Sequence, residues 1–438
     1  MTTGSLDYQV APGGALRGTV RVPGDKSISH RSVMLGALAQ GTTEISGLLE
    51  GEDVLCTLGA FRAMGVRAEG PVQGRLTIEG VGMRGLRAPT AMLDMGNSGT
   101  AMRLMAGILA GQAFDSVLGG DASLSKRPMR RVSDPLGTMG ALIETGDGGT
   151  PPLRIKGGRR LHGIEYAMPV ASAQVKSSLL LAGLYAEGRT TVIEPAPTRD
   201  HTERMLRGFG YEVEVAGARV SLRGGGSLRA CAIDVPADIS SATFFLVGAA
   251  IAPGSDVVLS HVGINPTRIG VINILRQMGA RIELRHERTV GGEPVADLHV
   301  VSGPLRGIEI PHDQVPLAID EFPALFVAAA CAEGRTVLRG AHELRVKESD
   351  RIAVMAQGLR ALGVAAQELE DGIVIDGGVI QGGSVESHGD HRISMSFAMA
   401  ALRAGGAVTV RDCRNVATSF PGFVALAAGA GLGVQVRG

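Results

Sequence analysis

Tryptophan is absent from the chain and aromatic residues make up only 3% of it, whereas glycine is abundant at 64 residues. Packing between elements therefore rests on small and aliphatic side chains, and the glycines fit tight turns. Neither sign of charge is in excess, since 43 basic residues face 43 acidic ones. That balance argues against a general nucleic-acid or membrane-surface protein. Four cysteines, Cys56, Cys231, Cys331 and Cys413, stand far apart without CxxC or metal-ligand spacing. Reduced, buried thiols in a cytoplasmic protein are expected. Met1 to Asp7 show no basic stretch leading into an apolar one and no Arg/Ser-rich transit pattern. The longest apolar runs, such as Phe244 to Ala252, are too short to span a membrane. At 438 residues the chain exceeds one ordinary core, so two or more domains are expected.

What the chain does have is an internal repeat. A glycine that closes an Ala/Leu-rich helix and precedes a β-branched strand occurs at Gly41, Gly111, Gly188, Gly254, Gly334 and Gly405. A second signature, a hydrophobic residue, Gly and then a strand, recurs in phase at Gly65, Gly140, Gly210, Gly279, Gly363 and Gly433. Both sets read as helix C-caps followed by strands. Six helix–strand–helix–strand units divide naturally into two domains of three, a mixed α/β (α+β) architecture.

Counting back about four helical turns from each closing glycine of the first set reaches a helix start. These starts are Lys26-Ser27, Asn97-Ser98-Gly99-Thr100, Ser172-Ala173-Gln174, Asp238-Ile239-Ser240-Ser241, Asp320-Glu321 and Asp390-His391-Arg392. Ser, Asn and Asp there are ordinary caps, and Asp238 reads as a plain one. The cations Lys26, Arg31, Arg103 and Arg392 are different, because positive charge near a helix N-terminus opposes the dipole. Their position makes sense where an anion binds the free N–H groups.

Loops add Lys126-Arg127, Arg199-Asp200-His201 and Arg345-Val346-Lys347-Glu348-Ser349-Asp350-Arg351. The last sets a carboxylate among cations, where its protonation is tunable. Candidate acid–base groups are Asp320, Glu348 and Asp390. No P-loop, nucleophile elbow, Rossmann fingerprint or Cys–His signature is present. His388 and His391 lack a third convergent ligand, and no metal site is expected.

Gly24-Asp25-Lys26-Ser27-Ile28-Ser29-His30-Arg31, Gly96-Asn97-Ser98-Gly99-Thr100, Arg345 to Arg351 and Asp390-His391-Arg392 together resemble the EPSP synthase (3-phosphoshikimate 1-carboxyvinyltransferase) family. The resemblance runs from about Gly24 to Pro421. It implies two domains of three βαβαββ units each, an inside-out α/β barrel, with the active site in the cleft between them. The domains would be 24–241 and 1–23 plus 242–438, so the N-terminal strand joins the C-terminal half.

The implied reaction moves enolpyruvyl from phosphoenolpyruvate to the 5-hydroxyl of shikimate 3-phosphate and releases phosphate. Lys26 would touch both substrates. Ser27, Arg31, Ser172, Ala173, Gln174, Arg199, Asp320 and Lys347 would hold shikimate 3-phosphate. Asn97, Gly99, Arg127, Gln174, Arg351 and Arg392 would hold phosphoenolpyruvate, and Gly99 leaves room for the inhibitor glyphosate. Asp320 would be the base for the 5-hydroxyl, and Glu348 the proton donor to and acceptor from the methylene, with Lys26 assisting. No cofactor, metal, nucleic-acid or membrane partner is implied, and a cytoplasmic monomer is expected.

Three positions depart from the family's commoner form. Ala173 replaces a Ser, Glu343 an Asn, and Thr418 a Lys that would contact phosphoenolpyruvate; Arg199 would compensate at the phosphate. A sister enzyme acting on UDP-N-acetylglucosamine would carry Lys-Asn near the N-terminus and a reactive Cys loop. Here Ser27 follows Lys26, and Gly111 to Gly120 hold no Cys.

Overall fold

A computed structural model of the chain describes residues 6–438. It divides into two compact units, one of Gly24–Val235 with Val290–Glu293, the other of the segment up to Pro23, Pro236–Thr289 and Pro294–Gly438. Pro236 to Ser241, expected in the first domain, therefore belong to the other unit. Their carbonyl and amide groups explain this: Asp238 N–H bonds Pro23 O and Ala237 N–H bonds His261 O, both at 2.9 Å. Each unit has its own hydrophobic core.

Among the described residues, six small sheets match the six repeats. The second repeat runs Leu93–Asp94, helix Gly99–Ala110, Ser116–Gly119, helix Arg130–Thr138, Leu142–Glu144 and Leu153–Lys156. Its first two strands pair in parallel and the others antiparallel, in the order first, second, fourth, third. The third repeat, Glu165–Ala167 to Arg219–Arg223, has the same order.

The first and fourth repeats borrow their leading strands from elsewhere in the chain. Ala232–Asp234 pairs in parallel with Ala39–Ser46, and Arg17–Val20 with Asp256–Gly263. The sixth is completed by Asp7–Val10, which lies antiparallel between Val408–Arg411 and Val434–Arg437. Each exchange satisfies a strand edge that would otherwise expose unpaired N–H and C=O groups.

The helix that opens each repeat is buried, and the sheets lie outside it. All residues of Ile239–Ile251 and Phe322–Ala330 are buried, and these two helices and His391–Ala400 touch one another. Burying a Leu, Ile or Phe there contributes about 1.5–3 kcal/mol. Residue size sets the spacing in the other unit. An added Cβ on Gly107 would meet Ser178 O at 2.2 Å, where helix Gly99–Ala110 crosses Ala173–Gly183.

The second glycine signature marks helix ends. Gly65, Gly140, Gly210, Gly279 and Gly363 have φ between 78° and 101°, the left-handed cap that glycine adopts without strain. In the last repeat Gly431, at φ 117°, takes this role instead of Gly433, and closes helix Phe423–Ala430. The first glycine set is a second correction: Gly41 lies within strand Ala39–Ser46, only Gly111 is itself a helix cap, and Gly188, Gly254, Gly334 and Gly405 lie beyond helices capped at Leu184, Ala252, Cys331 and Ala401. All four cysteines are free, but only Cys413 is buried; Cys56, Cys231 and Cys331 are partly exposed, contrary to expectation.

Gly107→Ala tests the helix crossing. Alanine would normally favour a helix, by about 1 kcal/mol, but overpacking here is expected to lower stability by about 1–3 kcal/mol in urea unfolding. A gain in stability would show that the crossing is not close-packed.

Candidate active site

Four helix starts supply functional groups in the unit built on Gly24–Val235. Asp25 caps the helix Lys26–Leu38, accepting from Ile28 N–H at 2.8 Å. Lys26 emerges from its first turn and forms an ion pair with Asp53, a buried carboxylate in the first turn of helix Glu52–Ala63. One turn on, buried Arg31 donates to Thr202 Oγ1 at 2.7 Å, Ser177 Oγ at 2.8 Å and Ser27 O at 2.9 Å. Burial pushes its pKa down to about 10, opposed by the carboxylates of Glu203 and Asp25, while Arg199 adds to the depression. Arg31 is still charged at neutral pH, and its hydrogen-bond partners are neutral, so its charge is available to an anion.

His30 ties this start to the next. Its ring nitrogens lie 2.8 Å from Thr57 Oγ1 and 3.3 Å from Ser98 Oγ. Burial, with the charges of Lys26 and Arg31, holds its pKa well below the usual range, so the ring is neutral. Ser98 caps helix Gly99–Ala110 through Ala101 N–H at 3.1 Å. Asn97 Oδ1 accepts from Arg127 Nη2 at 2.7 Å, and Asn97 Nδ2 donates to Asp121 at 2.7 Å. Gly99 sits close to two guanidiniums: a Cβ there would lie 3.2 Å from Arg103 Nη1 and 3.4 Å from Arg127 Nη1.

Ser172 caps helix Ala173–Gly183 by accepting from Val175 N–H at 3.3 Å, and Ala173 is the first helical residue. Gln174 accepts from Arg103 Nη1 and donates to Thr100 Oγ1 at 2.9 Å. Arg103, the cation expected beside an anion in its helix's first turn, thus also contacts Gln174. Arg199 is half-buried just before helix His201–Gly208. The motifs flagged around Lys26, Asn97, Arg127, Ser172 and Arg199 are therefore linked within one unit. Asp53 carried no signal of its own, since an acidic residue in a first helical turn is ordinary.

The loop Glu348 to Asp350 and two helix starts make the set in the other unit. Arg351, its side chain 1% exposed, is the centre. Its Nε lies 2.8 Å from Asp390 Oδ2, Nη2 2.7 Å from Glu348 Oε2, and Nη1 3.4 Å from Asp320 Oδ1. Burial works against this charge, yet Asp390, Glu348 and Asp320 together raise its pKa above the ordinary arginine value.

Lys347 Nζ stands 3.5 Å from Asp320 Oδ1 and 3.9 Å from Glu343 Oε1. Arg392 donates to Asp320 O at 3.0 Å. Asp390 caps its helix through Arg392 N–H at 2.9 Å. Burial would raise its pKa, but Arg351 holds it below the usual carboxylate range. Glu348 and Asp320 keep side-chain exposures of 25% and 14%, enough to meet a small ligand. Thr418 is buried and donates to Asn415 O at 2.7 Å. Asp238, expected as a plain cap, caps Ser240 N–H at 2.8 Å and also lies 3.3 Å from Arg268 Nη2.

Among the described residues, Asp200, His201 and Glu293 form the one cluster with metal-ligand spacing. His201 Nδ1 lies 2.8 Å from Glu293, and Arg204 lies 2.8 Å from Asp200 and 3.9 Å from Glu293. The guanidinium already supplies the positive charge a metal would bring.

The chain matches the EPSP synthase (3-phosphoshikimate 1-carboxyvinyltransferase) family model over residues 10–426. It is similar to the 3-phosphoshikimate 1-carboxyvinyltransferase of Nitrosococcus oceani, 67% identical over 431 residues, covering 98% of this chain and 97% of that protein. Among solved structures, EPSP synthase from Acinetobacter baumannii is 60% identical with a TM-score of 0.90, covering 99% of this chain and 100% of that one. The enolpyruvyl transferase NikO from Streptomyces tendae, 20% identical, shares the fold at a TM-score of 0.82 with 99% of each chain covered.

The depressed Asp390 pKa gives a signed prediction. A carboxyl whose pKa is lower folded than unfolded adds stability above its unfolded value, about 3.9, and loses it as pH falls through the folded one. In urea unfolding, Asp390→Asn is expected to be less stable than the parent by a constant margin above about pH 5, shrinking below about pH 4. A margin unchanged down to pH 3 would mean that Arg351 does not hold Asp390 ionised.

Proposed function

The chain belongs to the EPSP synthase family and carries that family's carboxyvinyltransferase activity, and we propose from this premise that Lys26, Asp320 and Glu348 perform the transfer. The reaction moves the enolpyruvyl group of phosphoenolpyruvate to the 5-hydroxyl of shikimate 3-phosphate and releases phosphate.

Asp320 takes the proton of the 5-hydroxyl while its oxygen bonds to C2 of phosphoenolpyruvate. Glu348 gives a proton to C3, which closes the tetrahedral adduct. Glu348 then takes a proton back from C3, the C2–O bond to phosphate breaks, and phosphate carries away the proton held by Asp320. Lys26 stabilises charge on both substrates, and Arg351 and Arg392 oppose the phosphoenolpyruvate anion.

Ser27, Arg31, Ser172, Ala173, Gln174, Arg199, Asp320 and Lys347 are assigned to shikimate 3-phosphate. Asn97, Gly99, Arg127, Gln174, Arg351 and Arg392 are assigned to phosphoenolpyruvate. The observation that carries the acid–base assignment is one guanidinium, Arg351, gathering Asp320, Glu348 and Asp390. Asp390 is buried and bound into a cap, whereas the other two keep solvent access. Support for the anion sites comes from Arg31, whose hydrogen bonds go only to neutral groups. A cytoplasmic setting and a monomeric state belong to the same proposal, and fractionation and sedimentation test them. No helix among the described residues is long and apolar enough to cross a membrane.

Purified protein is expected to release phosphate from phosphoenolpyruvate only when shikimate 3-phosphate is present. Asp320→Asn and Glu348→Gln should each lower kcat by about 10²–10⁴-fold, with KM values changed far less. Equal losses in kcat and affinity would mark either residue as a binding or structural group.

A further inference from the structure

Behind Asp320 and Arg392 lies a buried polar chain that the transfer steps do not use. Arg268 donates from Nη2 to Ser240 Oγ at 2.6 Å, and lies 3.3 Å from Asp238 Oδ1 and 3.6 Å from Glu321 Oε1. Ser240 donates in turn to the same Glu321 oxygen. Arg392 Nη1 stands 3.9 Å from that oxygen while it donates to Asp320 O at 3.0 Å. The side chains of Arg268 and Glu321 are 4% and 1% exposed.

Stability is a weak reason for such a network. Desolvating these charges is costly, and buried ion pairs often do no better than apolar residues of the same shape. Glu321 Oε2 is buried without a hydrogen-bond partner among the described residues, which adds to the cost. What the network does supply is geometry. Glu321 directly follows Asp320, so fixing its carboxylate fixes the turn that presents Asp320. The same oxygen faces Arg392, whose guanidinium is held against that turn.

The repeat makes the point sharper. Pro266-Thr267-Arg268 precedes helix Gly270–Gln277 as Pro197-Thr198-Arg199 precedes helix His201–Gly208. Arg199 keeps partial exposure, whereas Arg268 is buried. One tripeptide thus leaves its arginine open to solvent in one repeat and turns it inward in the next, toward Ser240 and Glu321.

We propose that Glu321, held by Ser240 and Arg268, is a positioning residue of the transfer reaction. It sets the Asp320 turn and the Arg392 guanidinium, and so governs turnover and phosphoenolpyruvate affinity without touching either substrate. The inference rests on the assignment of Asp320 and Arg392 made above.

Glu321→Gln keeps the shape and removes the charge. It is expected to lower kcat by about 10- to 100-fold and to raise KM for phosphoenolpyruvate several-fold, leaving KM for shikimate 3-phosphate within about twofold. Combining Arg268→Met with Glu321→Gln removes both ends of the ion pair. The paired variant should recover the melting temperature lost by either single change but not the turnover. It also carries the test if Glu321→Gln alone does not fold.

The proposal is overturned if folded Glu321→Gln keeps its kinetic constants within about twofold of the parent. It is equally overturned if turnover returns together with melting temperature in the pair, as a merely structural role requires. Asp320→Asn is measured alongside to separate the two claims. Normal turnover there would sink the Asp320 assignment and the positioning role with it. A slow Asp320→Asn beside an unaffected Glu321→Gln would sink the positioning role alone.

Discussion

One buried guanidinium organises the carboxylates of its unit. Arg351 binds Asp390, Glu348 and Asp320 from a site with almost no solvent access. Carboxylates gathered around one cation share its charge and are spared part of their mutual repulsion. Arg351 lets them differ. Asp390 is spent on the helix cap and is held ionised, whereas Glu348 and Asp320 remain reachable. The repeat puts the cap, the loop and the helix start in place, and the arginine turns that placement into unequal chemical environments.

The other unit solves a different problem, the presentation of positive charge. The helices Lys26–Leu38, Gly99–Ala110 and Ala173–Gly183 begin without acidic residues in their first turns, so their free N–H groups keep their pull on an anion. Neutral partners hold the cations or groups between them: Thr202 and Ser177 fix Arg31, Asn97 fixes Arg127, and neutral His30 bridges two helix starts. Lys26 instead pairs with the carboxylate of Asp53. That pairing holds the ammonium in one direction.

Much of this was legible in the sequence because it rests on local rules. Polar caps before apolar helices and glycines after them have short-range signals, and cations beside those caps stood out as contrary to the dipole. The errors were local too. Gly41 sits inside a strand and Gly431 replaces Gly433, since the helix end is decided by packing within a span of a few residues. What could not be read was partnership. Asp53, Arg268 and Glu321 look like ordinary surface or cap residues in sequence, and Arg103 stands out there only as a cation near an anion site. Only the fold brings Asp53 to Lys26, Arg103 to Gln174 and Arg268 to Glu321. Ala232–Asp234, which leads the first repeat from far along the chain, was invisible for the same reason, because a strand's partner is set by the sheet that needs an edge covered, whereas the family resemblance already placed the N-terminal strand with the C-terminal half.

The central claim is that Glu348, held by Arg351, carries the proton to and from the enolpyruvyl methylene. Running the reaction in deuterated water tests it most directly. The parent enzyme is expected to place deuterium on the methylene of the product, because C3 is protonated and deprotonated on each turnover. Glu348→Gln, folded and still binding both substrates, is expected to label that position more slowly by about 10²–10⁴-fold, in step with its turnover. Labelling by the variant at the parent's rate would show that another group moves the proton.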